Sequence, residues 1–350
     1  MAISMVQRPQ ALKADILVTG AAGFIGRHLV GRMLTLGRRV RVLVRRPPDA
    51  SWLVDSRVEV VQGDLSDSTL VARAVEGTRL VYHLGATMRG SPSDFERGTI
   101  VGTRNVVARV SASPETRLVY VSSLSVLHAA AAHTGSLVRE DWPLEPQPQL
   151  RGLYTGTKLR AEALVREAVR AQQLRAVIVR PGQVVGRGAE WMTPAVARRV
   201  GTWLVMIGDG RLALPLVYVE DLVDALLAVA GHDVFDGSVF HIVDESAVTQ
   251  NELADRYRGA VPERLRIVHV PVAVMHGIGL VAQLAEAVLG RTLPLSPYRI
   301  SSALAPLRYD CQAAQSRLQW TPQVGVRRGL DIVLGSQASE AVGAPKGTRS

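Results

Sequence analysis

The chain has 350 residues, of which 47% are hydrophobic, 21% charged and 5% aromatic, so it can bury one large core or two joined ones and is too apolar for a disordered chain. Its single cysteine, Cys311, excludes an intramolecular disulfide framework and a cysteine-built zinc site, and the expectation is a cytoplasmic protein with no metal centre. The net charge of +10 rests on arginine: only Lys13, Lys158 and Lys346 are lysine, and the arginines are scattered and not clustered as a nucleic-acid footprint would be, so no nucleic-acid partner is expected.

Residues 1–13 read as an N-terminal tail with no apolar run of a secretory signal. From Asp15 onward short apolar runs alternate with amphipathic stretches. The runs Ile16–Thr19, Arg41–Val44, Val58–Val61, Leu80–His83 and Leu118–Val121 predict buried strands. Ile25–Leu36 and Ser68–Val75 carry apolar residues at helical spacing, with Gly37 and Gly77 placed as C-terminal caps. A helix over 156–171, a strand over Ala176–Val179 and the turn Arg180-Pro-Gly182 continue the series. Strand and helix in repetition predict an α/β fold, a doubly wound parallel sheet covered on both faces.

Beyond Gly182 the alternation loosens, with a helix over Val219–Ala230, a strand over Val239–Val243 and an apolar stretch from 272 to 289. The expected division is a nucleotide-binding domain over 14–182 with returning segments near 215–243, a smaller C-terminal α/β substrate lobe over 183–214 and 244–334, and a flexible tail over 335–350. The segment 268–289 approaches the length of a membrane span, but Pro271, Gly277 and Gly279 favour a buried or surface-lying helix, leaving peripheral membrane contact open.

Thr19-Gly-Ala-Ala-Gly-Phe-Ile-Gly26 follows the first strand and opens the first helix. In the spacing G-x-x-G-x-x-G, Gly20 permits the tight turn, Gly23 lets backbone amides approach a pyrophosphate, and Gly26 lets helix and strand pack closely. With Phe24 and Ile25 these residues form the first expected dinucleotide contact, which makes the sheet a Rossmann-type one. The second strand ends in Arg45-Arg46 with no acid before Asp49. Guanidinium groups match a ribose 2′-phosphate, so NADP is favoured, with NAD as the alternative. Asp64 and Leu65 after the third strand, Leu84, Gly85 and Ala86 after the fourth, and Pro181 and Gly182 are the remaining expected cofactor contacts.

Tyr154 and Lys158 share one helix face at i, i+4 spacing. A free phenol has a pKa of about 10 and shuttles protons poorly near neutrality, and a neighbouring ammonium is expected to favour the phenolate. Lys158 is also placed to bond a nicotinamide ribose. A hydroxyl at a strand end completes the catalytic set, with Ser123 preferred and Ser122 and Ser125 as rivals.

Together with Gly102-Thr-Arg-Asn105, Tyr218-Val-Glu-Asp221 and Leu318-Gln-Trp-Thr-Pro322, these motifs resemble the extended short-chain dehydrogenase/reductase superfamily from about Asp15 to Leu334. The resemblance implies hydride transfer at the nicotinamide C4 with Tyr154 as acid and base, and a homodimer through helices flanking the sheet. Departures narrow the branch. Leu124-Ser125 stands where the sugar-nucleotide dehydratases carry Asp-Glu, Leu214 where many sugar-nucleotide enzymes place a diphosphate-binding arginine, and Thr99 where the family usually has Asn. The apolar run Val270–Leu280 is similar to 3β-hydroxysteroid dehydrogenase-like members. The expected activity is an NADP-dependent interconversion of a secondary alcohol and ketone on an apolar, steroid-like or polyketide-like small molecule. The alternatives are a nucleotide-sugar epimerase with tightly bound NAD and a cofactor-sensing regulatory protein.

Overall fold

The computed structural model describes residues 14–46, 54–131, 135–190, 192–289 and 296–343. Seven parallel strands form the main sheet: β1 Ile16–Thr19, β2 Val40–Val44, β3 Val58–Gln62, β4 Leu80–His83, β5 Arg117–Val121, β6 Ala176–Pro181 and β7 Asp236–Ile242. Their spatial order is β7-β6-β5-β4-β1-β2-β3, the reversal between β1 and β4 marking the point where a doubly wound sheet opens a ligand crevice. Helices α1 Phe24–Thr35, α2 Ser68–Val75, α3 Gly102–Ser111, α4 Leu153–Arg170 and α5 Val219–Gly231 connect them.

Both sheet faces are buried because neighbouring residues on each strand serve opposite cores. Val18 and Val42 join Leu29, Met33, Leu222 and Leu226 beneath α1 and α5. Leu17 and Leu43 join Val71, Val106, Val110 and Val165 beneath α2, α3 and α4. β3 departs from the expectation of a buried strand. It is the last strand of the sheet, and Val60 is exposed because nothing among the described residues pairs with its outer edge.

The second lobe is smaller. Trp203–Ile207 pairs in parallel with Arg266–Val270 and antiparallel with Arg198–Val200. α6 Gln250–Ala260 packs on this sheet through Ala254; α7 Val272–Leu289, α8 Pro297–Ala303, α9 Gln312–Leu318 and α10 Val326–Gly343 follow, α9 lying against β7 and α5 of the main sheet. Asp221 at the start of α5 ties the chain end down, accepting from the amides of Gln323, Val324 and Gly325 at 2.8 to 2.9 Å. The expected tail from 335 instead continues α10 as far as Gly343, Gln337, Ala338 and Glu340 being good helix formers; residues 1–13 and 344–350 lie outside the described residues. α7 leaves Val274, Ile278, Leu280, Val281 and Leu284 exposed, so it is a surface-lying helix and not a buried one. No helix among the described residues is long and apolar enough to cross a membrane.

Candidate active site

A cavity of about 1100 Å³ opens at the carboxyl ends of the central strands, running from Arg45 to Leu307. Its floor at one end is the glycine turn. Gly20 has φ of 72°, and a side chain there would meet the backbone nitrogen of Gly85 at 2.8 Å. At Gly26 a Cβ would lie 2.3 Å from the Gly20 carbonyl, so β1, α1 and the loop after β4 close on one another only with glycine at both positions. Gly23 caps α1 without a side-chain hydrogen bond, and no acid stands in the first turn. The first amides of α1 are thus left to an anion, as a dinucleotide pyrophosphate requires.

Gly20, Gly23, Phe24, Ile25, Gly26, Arg45, Asp64, Leu65, Leu84, Gly85, Ala86, Pro181 and Gly182 all line this cavity. Arg46 is exposed and is not among the lining residues, because neighbouring residues at a strand end point to opposite sides. Burial tends to raise the pKa of Asp64, yet hydrogen bonds from the Ser66 amide and hydroxyl, both 2.8 Å, and the nearby charges of Arg45 and Arg97 bring it below the ordinary carboxylate value. Beneath the turn, His83 bonds the hydroxyls of Thr19 at 2.6 Å and Thr103 at 3.0 Å. Burial pushes its pKa down to about 3, so this imidazole is neutral and joins β1, β4 and α3. Thr99, read from sequence as a departure, accepts the amide of Thr87 at 2.9 Å and thereby holds the loop after β4.

Midway along the cavity the three serines of the β5 exit separate by direction. Ser122 turns inward and donates to Glu162 Oε2 at 2.6 Å. Ser123, in extended backbone, accepts the Ser125 amide at 3.2 Å and lies close enough to the Tyr154 phenol to lower its pKa. Ser125 also lines the cavity, with a buried Oγ that has no partner among the described residues. Tyr154 enters from the first turn of α4, which starts at Leu153 and not at 156 because Gly152, at φ of 98°, breaks the chain away from the preceding helical turn Pro148–Arg151.

Lys158 lies one turn deeper on α4. Its Nζ donates to the Val121 carbonyl at 2.6 Å and sits 5.1 Å from the Tyr120 ring centre. Burial lowers its pKa to about 8, with the Glu162 carboxylate acting in the opposite direction. Glu162 is itself enclosed, bonded to Arg180 at 2.7 Å and to Arg166 at 2.8 Å. The expected loosening of the phenol by the amine is not what the geometry gives. Burial raises the Tyr154 pKa, the nearby Ser123 hydroxyl opposes it, and the Lys158 amine is turned to the strand carbonyl. Tyr154 therefore holds its proton at neutral pH.

Beyond Tyr154 the walls become apolar: Leu124, Ala129, Leu212, Leu214, Ala303 and Leu307. Among the described residues none of α7 lines the cavity, so the apolar run Val270–Leu280 is not the pocket wall; the wall comes from shorter segments on both sides of it. Two groups among these walls escaped sequence reading. Arg151 and Ser302 line this end, brought together by packing of Pro148–Arg151 against α8. At the rim Arg89 and Glu190, both exposed cavity residues, form an ion pair between the loop after β4 and the second lobe.

Comparison with known proteins agrees with this architecture. The chain is 28% identical over 334 residues to the 2-alkyl-3-oxoalkanoate reductase of Stenotrophomonas maltophilia, covering 93% of this chain and 99% of that one. It is 25% identical over 350 residues to the decarboxylating sterol-4-alpha-carboxylate 3-dehydrogenase of Candida albicans, covering 91% and 96%. The crystal structure of gox2253 superposes with a TM-score of 0.77 at 22% identity, covering 94% of this chain and 99% of that one, which is a likeness of fold. The sequence model described as the NAD dependent epimerase/dehydratase family matches residues 16–242. On the strength of that match, the glycine-floored crevice and the strand order, the chain belongs to the NAD dependent epimerase/dehydratase family.

Proposed function

We propose that the protein is an NADP-dependent oxidoreductase that interconverts a secondary alcohol and a ketone on an apolar substrate. The observation that carries this reading is that the Ser123 and Tyr154 side chains neighbour each other in the cavity that joins the glycine floor to the apolar chamber. A nicotinamide cofactor bound in the cleft supplies or accepts the hydride. The first turn of α1 takes the pyrophosphate, and Arg45, lining the cleft where β2 ends, meets the 2′-phosphate that distinguishes NADP. Ser123 orients the substrate oxygen and Tyr154, whose phenol is protonated at neutral pH, gives it a proton when a ketone is reduced. Lys158, which lines the same cleft, would hold the nicotinamide ribose.

Leu214, buried against the chamber, supports an apolar substrate over a nucleotide sugar, because an apolar side chain offers a diphosphate no partner. The similarity to proteins named as an alkyl-oxoalkanoate reductase and a sterol-carboxylate dehydrogenase supports the same choice. The test is cofactor oxidation by purified protein, NADPH and NADH in parallel, across long-chain and cyclic ketones and a set of UDP- and dTDP-sugars. Turnover of apolar ketones with NADPH is expected. Turnover of a nucleotide sugar alone, or a preference for NADH, overturns the reading.

A further inference from the structure

The apolar chamber contains one cation that the proposed chemistry does not use. Arg151 ends the helical turn before Gly152, three residues ahead of Tyr154, and its side chain lines the same cavity. Its hydrogen bond among the described residues is a single one, Nη1 to Glu145 Oε2 at 3.2 Å. Glu145 lies behind the wall, fully enclosed and not part of the lining, and its charge is shared with the Gln147 amide at 2.9 Å and the Tyr298 hydroxyl. One of the guanidinium's five N–H donors is spent there, and the others have no partner among the described residues. Donors that are unspent and within reach of the cavity can receive an anionic ligand.

A second observation points to the same ligand. Ser302 is 5% exposed, lines the same cavity, and its Oγ has no partner among the described residues. It lies on α8, which packs against the turn carrying Arg151, and Tyr298 of that helix reaches Glu145 behind Arg151. The cavity's own carboxylates are elsewhere: Asp64 is beneath the nucleotide end and Glu190 is on the rim with Arg89. Among the described residues, no carboxylate lines the cavity beside Arg151.

We propose that Arg151 and Ser302 form a receptor for a substrate carboxylate, so that the substrates are oxo acids and hydroxy acids carrying an apolar tail, with the acid group close to the reacting carbon. This rests on the oxidoreductase reading. The carboxylate changes no bond in the reaction; it fixes which oxygen of the substrate faces Tyr154. A guanidinium receives two carboxylate oxygens in one plane, and the Ser302 hydroxyl donates to one of them.

The experiment compares 3-oxododecanoate, its methyl ester and 2-undecanone as substrates with NADPH, and titrates dodecanoate into the protein by calorimetry. Wild type is expected to prefer the acid, and Arg151→Gln to lower kcat/KM for the acid by about 10- to 150-fold, as loss of hydrogen bonds to a charged group does, while the ester and the ketone keep their rates. Dodecanoate binding falls with it. Ser302→Ala, which leaves no charge unpaired, keeps the test sound if Arg151→Gln misfolds, and is expected to weaken the acid alone by several-fold. Equal rates for acid and ester on wild type, or variants that slow all three substrates alike, overturn the receptor. If none of the three turns over while dodecanoate binding still depends on Arg151, the oxidoreductase reading fails and the carboxylate site stands.

Discussion

Replacing Glu162 with alanine tests the buried charge network behind the site. Glu162 and Arg180 are both fully enclosed, and the carboxylate holds Arg180 at 2.7 Å, Arg166 at 2.8 Å and Ser122 at 2.6 Å. Removing it leaves Arg180 with the Glu140 carbonyl at 3.1 Å and a long contact to His241 at 3.5 Å. Breaking a buried pair from one side costs about 3–5 kcal/mol, because the surviving charge stays buried. At roughly 2.1 cal/mol/K of unfolding entropy per residue, a chain of 350 residues loses about 4–7 °C of Tm. Differential scanning calorimetry reads this directly. The double variant Glu162→Ala/Arg180→Met should melt well above the sum of the single losses, since neither charge then lacks a partner. A melting point within 1 °C of wild type for Glu162→Ala, or strict additivity in the double variant, refutes the reasoning.

Tyr154→Phe should lower turnover by about 10²- to 10⁴-fold and leave NADP affinity nearly unchanged, measured by steady-state kinetics beside fluorescence titration. Lys158 is deprotonated above about 8, so NADP affinity of the free protein should weaken as pH rises through that value; a flat profile between pH 7 and 9.5 argues against an ammonium contact. His28 bonds Glu220 at 2.6 Å and the Arg187 carbonyl at 3.1 Å, and although burial works against its charge these partners raise its pKa. A raised histidine stabilises fully below its unfolded value near 6.5 and loses that contribution as pH climbs through the folded value, so Glu220→Gln should flatten the decline of Tm across that range. Gly26→Ala places a methyl 2.3 Å from the Gly20 carbonyl and is expected to abolish NADP binding; retained affinity would mean that the turn is not the cofactor's floor.

The strands were legible where burial is complete. Ile16–Thr19 and Leu80–His83 end where their apolar runs end, since a central parallel strand has no solvated side to confuse the pattern. β3 reads the same in sequence yet is exposed, because the position of a strand in the sheet is a tertiary fact. The glycine turn was legible from its chemistry, and the tyrosine and lysine from helical spacing. Their electrostatic relation was not, for it depends on Lys158 reaching back to the Val121 carbonyl of another strand. Arg151 and Ser302 are separated by about half the chain and meet only through the packing of two short helical turns, so nothing local in either segment announces the pair. The apolar stretch after Val270 misled for a related reason: hydropathy reports that a helix is greasy and not which neighbour, if any, covers it.

The scarcity of lysine has a practical consequence for following this site. Lys13 and Lys346 lie near the two chain ends, and Lys158 stands alone in the folded interior, reached from the cleft and holding a large neutral fraction once the medium is mildly alkaline. An acylating label followed by peptide mass spectrometry thus has one informative target, and the shielding of that single amine reports occupancy of the crevice without any turnover being measured.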